Sequence, residues 1–154
     1  MSEKAVRLEQ LMPLIAEQLG RGESVMFYPK GTSMLPMLRQ GQDSVVLSPL
    51  PQQLKKYDLP LYQRDNGQYV LHRIVRVGGT YTCIGDNQFE FETGVEHRQM
   101  IGLVTAFIRD GKRTEVTDLG YRLYCRFWVA SRPVRHLWRR GVNLLKRTVR
   151  RCLK

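Results

Sequence analysis

The 154 residues predict a mainly β chain. A strongly bent antiparallel sheet is expected over residues 23–118, with an N-terminal amphipathic helix in residues 1–22 and a basic helical tail in residues 119–154. Three observations predict this. Between Ser24 and Gly111, short runs rich in Val, Ile, Tyr and Phe are broken by Gly, Pro, Asn and Asp, which is the pattern of short strands and tight turns. Residues 3–19 instead repeat their apolar side chains at helical intervals. Finally, residues 1–118 hold 14 basic and 14 acidic side chains, whereas residues 119–154 hold 11 basic and none acidic, so the whole net charge of +11 lies in the tail. With 42% hydrophobic residues, the length suits one domain with a packed core.

In the first element Val6, Leu8, Leu11, Met12, Ile15 and Leu19 alternate with Glu3, Lys4, Arg7, Glu9, Gln10, Glu17 and Gln18. Pro13 should kink or split this helix, because proline lacks the N–H that a helix interior uses, and Gly20 and Gly22 should end it. No basic start precedes a short apolar stretch and no apolar run approaches the ~18 residues of a membrane span, so neither a signal peptide nor a spanning helix is expected. The candidate strands are Val25–Tyr28, Ser44–Leu47, Leu61–Arg64, Tyr69–Val77, Thr80–Ile84 and Met100–Arg109, with Asp65-Asn66-Gly67 and Gly78-Gly79 as hairpin turns. Pro60 fits only an edge strand or the first position of a strand. Cys83, Cys125 and Cys152 are widely separated, which suits neither a disulfide framework nor a short-spaced metal site and favours a reducing compartment.

One serine stands in a constrained setting, Tyr28-Pro29-Lys30-Gly31-Thr32-Ser33-Met34-Leu35-Pro36-Met37-Leu38. A serine hydroxyl becomes a useful nucleophile only when it is held still, given a base and aimed between donors for the developing oxyanion. Gly31 permits close backbone approach, and Pro36 restricts the chain beyond Met34. Turns are full of Gly, Ser and Pro, so an arbitrary Gly-x-Ser is ordinarily structural. Here the segment Gly31-x-Ser33-Met34-x-Pro36, followed by Leu38, Gly41 and Val45-Val46-Leu47, resembles the nucleophile box of type I signal peptidases and of LexA-type self-cleaving repressors. The family usually continues with Gly-Asp, whereas this chain has Gly41-Gln42-Asp43.

A base is offered by His72 within Tyr69-Val70-Leu71-His72-Arg73-Ile74-Val75. An imidazole titrates near pH 6.5 and is mostly able to accept a proton at neutrality. Alone, it would read as a structural histidine on a sheet face. His72-Arg73-Ile74-Val75 is similar, however, to the second signal-peptidase box in its histidine form, found in the endoplasmic-reticulum type and some relatives, where most bacterial members use lysine. Arg73 alternates to the other face and reads as a structural or surface charge. Gly85-Asp86-Asn87 resembles the third box, and the resemblance implies that Asp86 orients the histidine. Relatives of the endoplasmic-reticulum type carry a further acid about six positions on, where Glu92 stands. Asp86 ranks first and Glu92 second. His97 and His136 read as a loop and a tail residue.

The resemblance runs from about Val25 to Lys112, and Ile101-Gly102-Leu103-Val104-Thr105 is similar to the closing strand of the signal peptidase/LexA-like fold. It implies a serine endopeptidase with Ser33 as nucleophile, His72 as general base and Asp86 as its partner, needing no metal or organic cofactor. The Ser33 backbone N–H would serve the oxyanion, with Thr32 as a helper, and substrates would be peptide or protein precursors with small residues before the cut. Two competing readings are a LexA-like self-cleaving or non-enzymatic regulator, with Ala16 or Gly20 as internal cleavage points, and a dedicated maturation protease of one cytoplasmic precursor. LexA-type proteins normally use lysine and carry a DNA-binding module, for which the 24 residues before Val25 leave no room.

The tail reads as two helices joined at Pro133. The second sets Val134, Leu137, Trp138, Val142, Leu145, Val149 and Leu153 on one face, amid Arg135, Arg139, Arg140, Lys146, Arg147, Arg150, Arg151 and Lys154. Tyr121, Tyr124, Phe127, Trp128 and Trp138 add aromatics of the interfacial kind. This composition suits a helix lying on an anionic membrane. Packing on its own domain is the next reading, and nucleic acid, bound through phosphates alone, is the least favoured. The expected location is cytoplasmic and peripheral at the membrane.

Overall fold

In a computed structural model the described residues are 8–152, with side chains described from 11 to 142. Residues 1–7 and 153–154, including Val6 and Leu153 of the expected apolar stripes, lie outside them.

The first helix, α1 (Leu8–Gly20), runs on through Pro13 as one element, so the expected split does not occur. It buries Met12, Ile15 and Leu19 on one face. Its end is closed by Gly22 at φ +81°, with Gly22 N–H donating to Leu19 O and Glu23 N–H to Gln18 O. These two bonds satisfy carbonyls that the helix end leaves free. Ala16 and Gly20, the internal positions considered for self-cleavage, both lie inside this helix.

Nine strands follow: β1 (Val25–Phe27), β2 (Ser44–Ser48), β3 (Pro60–Gln63), β4 (Tyr69–Leu71), β5 (Arg73–Val77), β6 (Tyr81–Ile84), β7 (Glu92–Val95), β8 (Met100–Arg109) and β9 (Lys112–Glu115). They form two antiparallel sheets rather than one strongly bent sheet, and neither is closed or strongly curled. With three helices added, the architecture is mixed. The larger sheet has the order β1-β2-β8-β3-β4; β9 also pairs with β8, beyond β3 on the same strand. The smaller is β5-β6-β7. Pro60 opens β3, the position that costs no ladder donor. Both expected hairpins form, at Asp65-Asn66-Gly67 and at Gly78-Gly79.

The division of the sheets falls at His72. The single strand expected over Tyr69–Val77 is two, because β4 pairs with β3 while β5 turns away to pair with β6. Beyond the break, Ile74 N–H donates to Asp58 O and Ile74 O accepts from Tyr57 N–H, which ties the start of β5 to the loop before β3. His72 therefore sits where the chain crosses between sheets, and the buried apolar side chains divide into two cores. One gathers α1, Phe27, Met34, Met37, Leu38, Val45, Leu47, Leu61, Val104 and, from the tail, Tyr121 and Cys125. The other gathers Leu54, Tyr62, Ile74, Cys83, Val95 and Met100.

The tail forms α2 (Leu119–Ala130) and α3 (Arg132–Cys152), broken at Ser131, with Pro133 in the first turn of α3 where its missing N–H costs nothing. Among the described residues no helix is long and apolar enough to cross a membrane.

Candidate active site

Ser33 lies in the loop between β1 and β2, half-buried. Gly31, two residues before it, has φ +96°, a conformation in which an L side chain would be strained. The loop is pinned from below by Met34, Met37 and Leu38 in the first core. Its far side is pinned electrostatically. The Arg109 guanidinium donates to Pro36 O and Met37 O, each at 2.6 Å, and to the buried Asp43 carboxylate at 3.1 Å. Arg39 holds the same carboxylate through its side chain and backbone N–H. Burial alone would raise the Asp43 pKa, but these bonds outweigh it and lower it to about 2. The unusual Gly41-Gln42-Asp43 thus supplies a structural anchor for the serine loop.

The Gly85-Asp86-Asn87 turn abuts Ser33 directly. Asn87 N–H donates to Ser33 O at 2.8 Å, and the Asn87 side-chain amide donates to Thr32 O at 3.2 Å. A Cβ at Gly85 would stand 2.6 Å from Ser33 O and 3.0 Å from Ser33 Cβ, so only glycine fits there. The neighbouring N–H groups of Leu35 and Leu38 are taken by Thr32 O and Met34 O, while that of Ser33 makes no hydrogen bond to the backbone of the described residues. Beside the serine is a cavity of about 60 Å³ lined by Pro29, Gly31, Met34, Leu38, Tyr69 and Leu71 among others. It is small and lined about equally by polar and apolar atoms, and β4, the strand leading straight to His72, forms one wall. A larger cavity of about 770 Å³, lined by Val75, Phe89, Phe91, Val129 and Pro133 among others, includes none of Ser33, His72 or Asp86.

His72 is only 1% exposed. Its Nδ1 lies 3.2 Å from Tyr62 Oη and 3.5 Å from Glu92 Oε2. Tyr62 has a single proton, and it is given to Glu92 Oε2 at 2.7 Å. Burial, reinforced by that bond, raises the phenol far above its ordinary pKa. Tyr62 Oη can therefore only accept from the ring, which fixes neutral His72 with its proton on Nδ1 and its lone pair on Nε2. Nε2 is buried and has no hydrogen-bond partner among the described residues, so the Ser33 hydroxyl does not touch it here. Burial lowers the His72 pKa to about 4, opposed by the negative charge of Glu92. Glu92 is held in turn by Arg64, whose Nε and Nη2 donate at 2.8 and 2.7 Å. Burial would raise the Glu92 pKa, and the bonds from Arg64 and Tyr62 bring it below the ordinary value.

Asp86 is engaged elsewhere. Arg73 donates to it in a two-pronged pair, Nε to Oδ1 at 2.8 Å and Nη2 to Oδ2 at 2.7 Å, and both side chains are out of solvent. Tyr124 donates to Oδ2 at 3.1 Å and Trp128 Nε1 to Asp86 O at 2.8 Å. The guanidinium also reaches Tyr121 Oη, Cys125 Sγ and Met37 Sδ. The carboxylate within reach of the His72 ring is thus Glu92, the acid ranked second, while the first-ranked Asp86 forms a buried pair with Arg73. Sequence reasoning gave Arg73 a structural role without a partner and missed Tyr62 and Arg64 altogether. Tyr62 sits beside Leu61 in an apolar strand with nothing in its neighbours to mark a buried hydroxyl.

A scan against protein-family models found no match, and neither a search of curated proteins nor one of solved structures returned any.

Proposed function

We propose that the chain is a serine endopeptidase of the signal-peptidase kind, in which Ser33 is the nucleophile and His72 the general base. The observation that carries this reading is the His72 ring: a buried neutral imidazole with Nδ1 tied to Tyr62 and Glu92 and Nε2 left without a partner among the described residues. That is the form a general base must have before it takes a proton. His72 Nε2 takes the Ser33 proton as Oγ attacks the peptide carbonyl, then returns it to the departing amine. Water, activated by the same nitrogen, hydrolyses the acyl-enzyme and frees Ser33. Glu92, through Tyr62 and directly, stabilises the imidazolium between these steps. The Ser33 N–H is left for the oxyanion.

Bracing of the Ser33 backbone by Gly85 and Asn87 supports the same reading, since a turn some fifty residues on in sequence holds the serine segment in place. The small cavity beside the serine favours peptide or protein precursors with a small residue before the cut. For a self-cleaving regulator, Ala16 and Gly20 are poorly suited, because a protease takes extended backbone and both lie within α1. The test is cleavage of a peptide mixture with alanine or glycine before the bond, using the full chain and its Ser33→Ala and His72→Ala variants. Each substitution should lower the rate by roughly 10³-fold or more. Undiminished cleavage by either variant would remove the mechanism.

A further inference from the structure

The tail has two faces, and the domain uses one of them. On α2, Tyr121 and Cys125 are buried and Tyr124 and Trp128 reach Asp86, while Leu119, Leu123 and Phe127 point to solvent at every fourth position. At the start of α3 the inward side is likewise occupied. Arg132 donates to Phe89 O and lies over the Phe91 ring, Arg135 stacks on Trp128 at 3.7 Å, and His136 stacks on Phe89 at 4.9 Å. Its outward side presents Val134, Leu137 and Trp138. These six large apolar side chains are 55–76% exposed. Of the aromatics expected at an interface, Tyr121, Tyr124 and Trp128 instead pack on the domain, which leaves Phe127 and Trp138.

We infer that this outward face of α2 and α3 docks onto the surface of an anionic lipid bilayer. Charge complementarity selects that partner. Exposed Arg122, Arg126 and Arg140 accompany the apolar side chains, and residues 119–154 contain no acid to balance them. A second copy of the chain would set like charges against each other, and a nucleic acid would satisfy the arginines but leave the apolar row in water. An anionic bilayer takes both, phosphates at the arginines and acyl chains at the Leu, Phe and Trp side chains. Each basic residue at such a surface strengthens binding about fivefold. The contact leaves Ser33 and His72 untouched, so it can fail without removing the peptidase reading.

The experiment is co-sedimentation of the full chain with phosphatidylglycerol–phosphatidylcholine vesicles and with phosphatidylcholine vesicles, at low and high salt. Binding to the anionic vesicles at low salt, weakened at least tenfold by high salt and at least tenfold by the triple variant Leu123→Gln, Phe127→Gln, Trp138→Gln, is the expected result. Circular dichroism and peptide cleavage verify that the variant is folded, and Arg122→Gln with Arg126→Gln provides a second variant that should weaken binding without touching the apolar row. No binding of the wild type to anionic vesicles, equal binding to neutral ones, or binding unchanged in the triple variant overturns the inference. Self-association through the same face in place of vesicle binding overturns it equally.

Discussion

His72 owes its chemistry to where its ring is buried and to what meets its two nitrogens. Its pKa is lowered to about 4 from an ordinary value near 6.5, with burial as the main cause, so between those values the unfolded chain binds a proton that the folded chain refuses. Stability must then rise with pH across that window and fall as pH drops from about 6.5 towards 4. Glu92, also lowered, adds a loss in the same direction at the acid end. Urea unfolding between pH 4 and 7 should show this slope, and it should be shallower in His72→Gln, which has no imidazole to charge; an identical slope would mean that the ring titrates normally. The histidine was legible in the sequence because its motif is local. Its environment was not, since the Tyr62 hydroxyl and the Glu92 carboxylate come from β3 and β7, ten and twenty residues away, and only the pairing of strands brings them to one ring.

Among the elements, α2 shows how far a tail can belong to the domain it follows. Its inward side chains close over the Arg73–Asp86 pair, and a buried pair that loses its hydrogen-bonding surroundings is costly. Trp128→Ala deletes both a packed indole and the donor to Asp86 O, and should destabilise the protein by roughly 2–3 kcal/mol. The adjacent Phe127→Ala, on the outward side, should stay within about 0.5 kcal/mol of the wild type. Equal losses in urea melts would contradict the orientation of the helix. Helical spacing in the tail was readable from residues 119–154, but which face met the domain was not, because large apolar or aromatic side chains occur on both, Tyr121, Tyr124 and Trp128 on one and Leu123, Phe127 and Trp138 on the other. Strands β7 and β9 escaped for a different reason. Glu92-Thr93-Gly94-Val95 and Lys112-Arg113-Thr114-Glu115 carry almost no apolar alternation, and it is backbone pairing with β6 and β8 that makes them strands.

At the scale of the molecule, two polar networks meet where the chain passes from one sheet to the other. His72 faces Tyr62, Glu92 and Arg64; the next residue, Arg73, faces Asp86 and α2. Alternation along the chain put the two on opposite sides, as the sequence indicated, but the change of sheet at that point depends on long-range pairing. Under the proposed mechanism this is a division of labour, with Glu92 serving the chemistry and Asp86 the architecture around the serine loop. Comparing Glu92→Gln and Asp86→Asn, by kcat/KM on a cleaved peptide alongside thermal melting, tests it most directly. Glu92→Gln should lower kcat/KM roughly a hundredfold while melting close to the wild type, and Asp86→Asn should melt well below it, by roughly 3–5 kcal/mol of stability, yet keep most of its activity where it remains folded. The reverse pattern, an inactive but stable Asp86→Asn beside a fully active Glu92→Gln, would contradict the account.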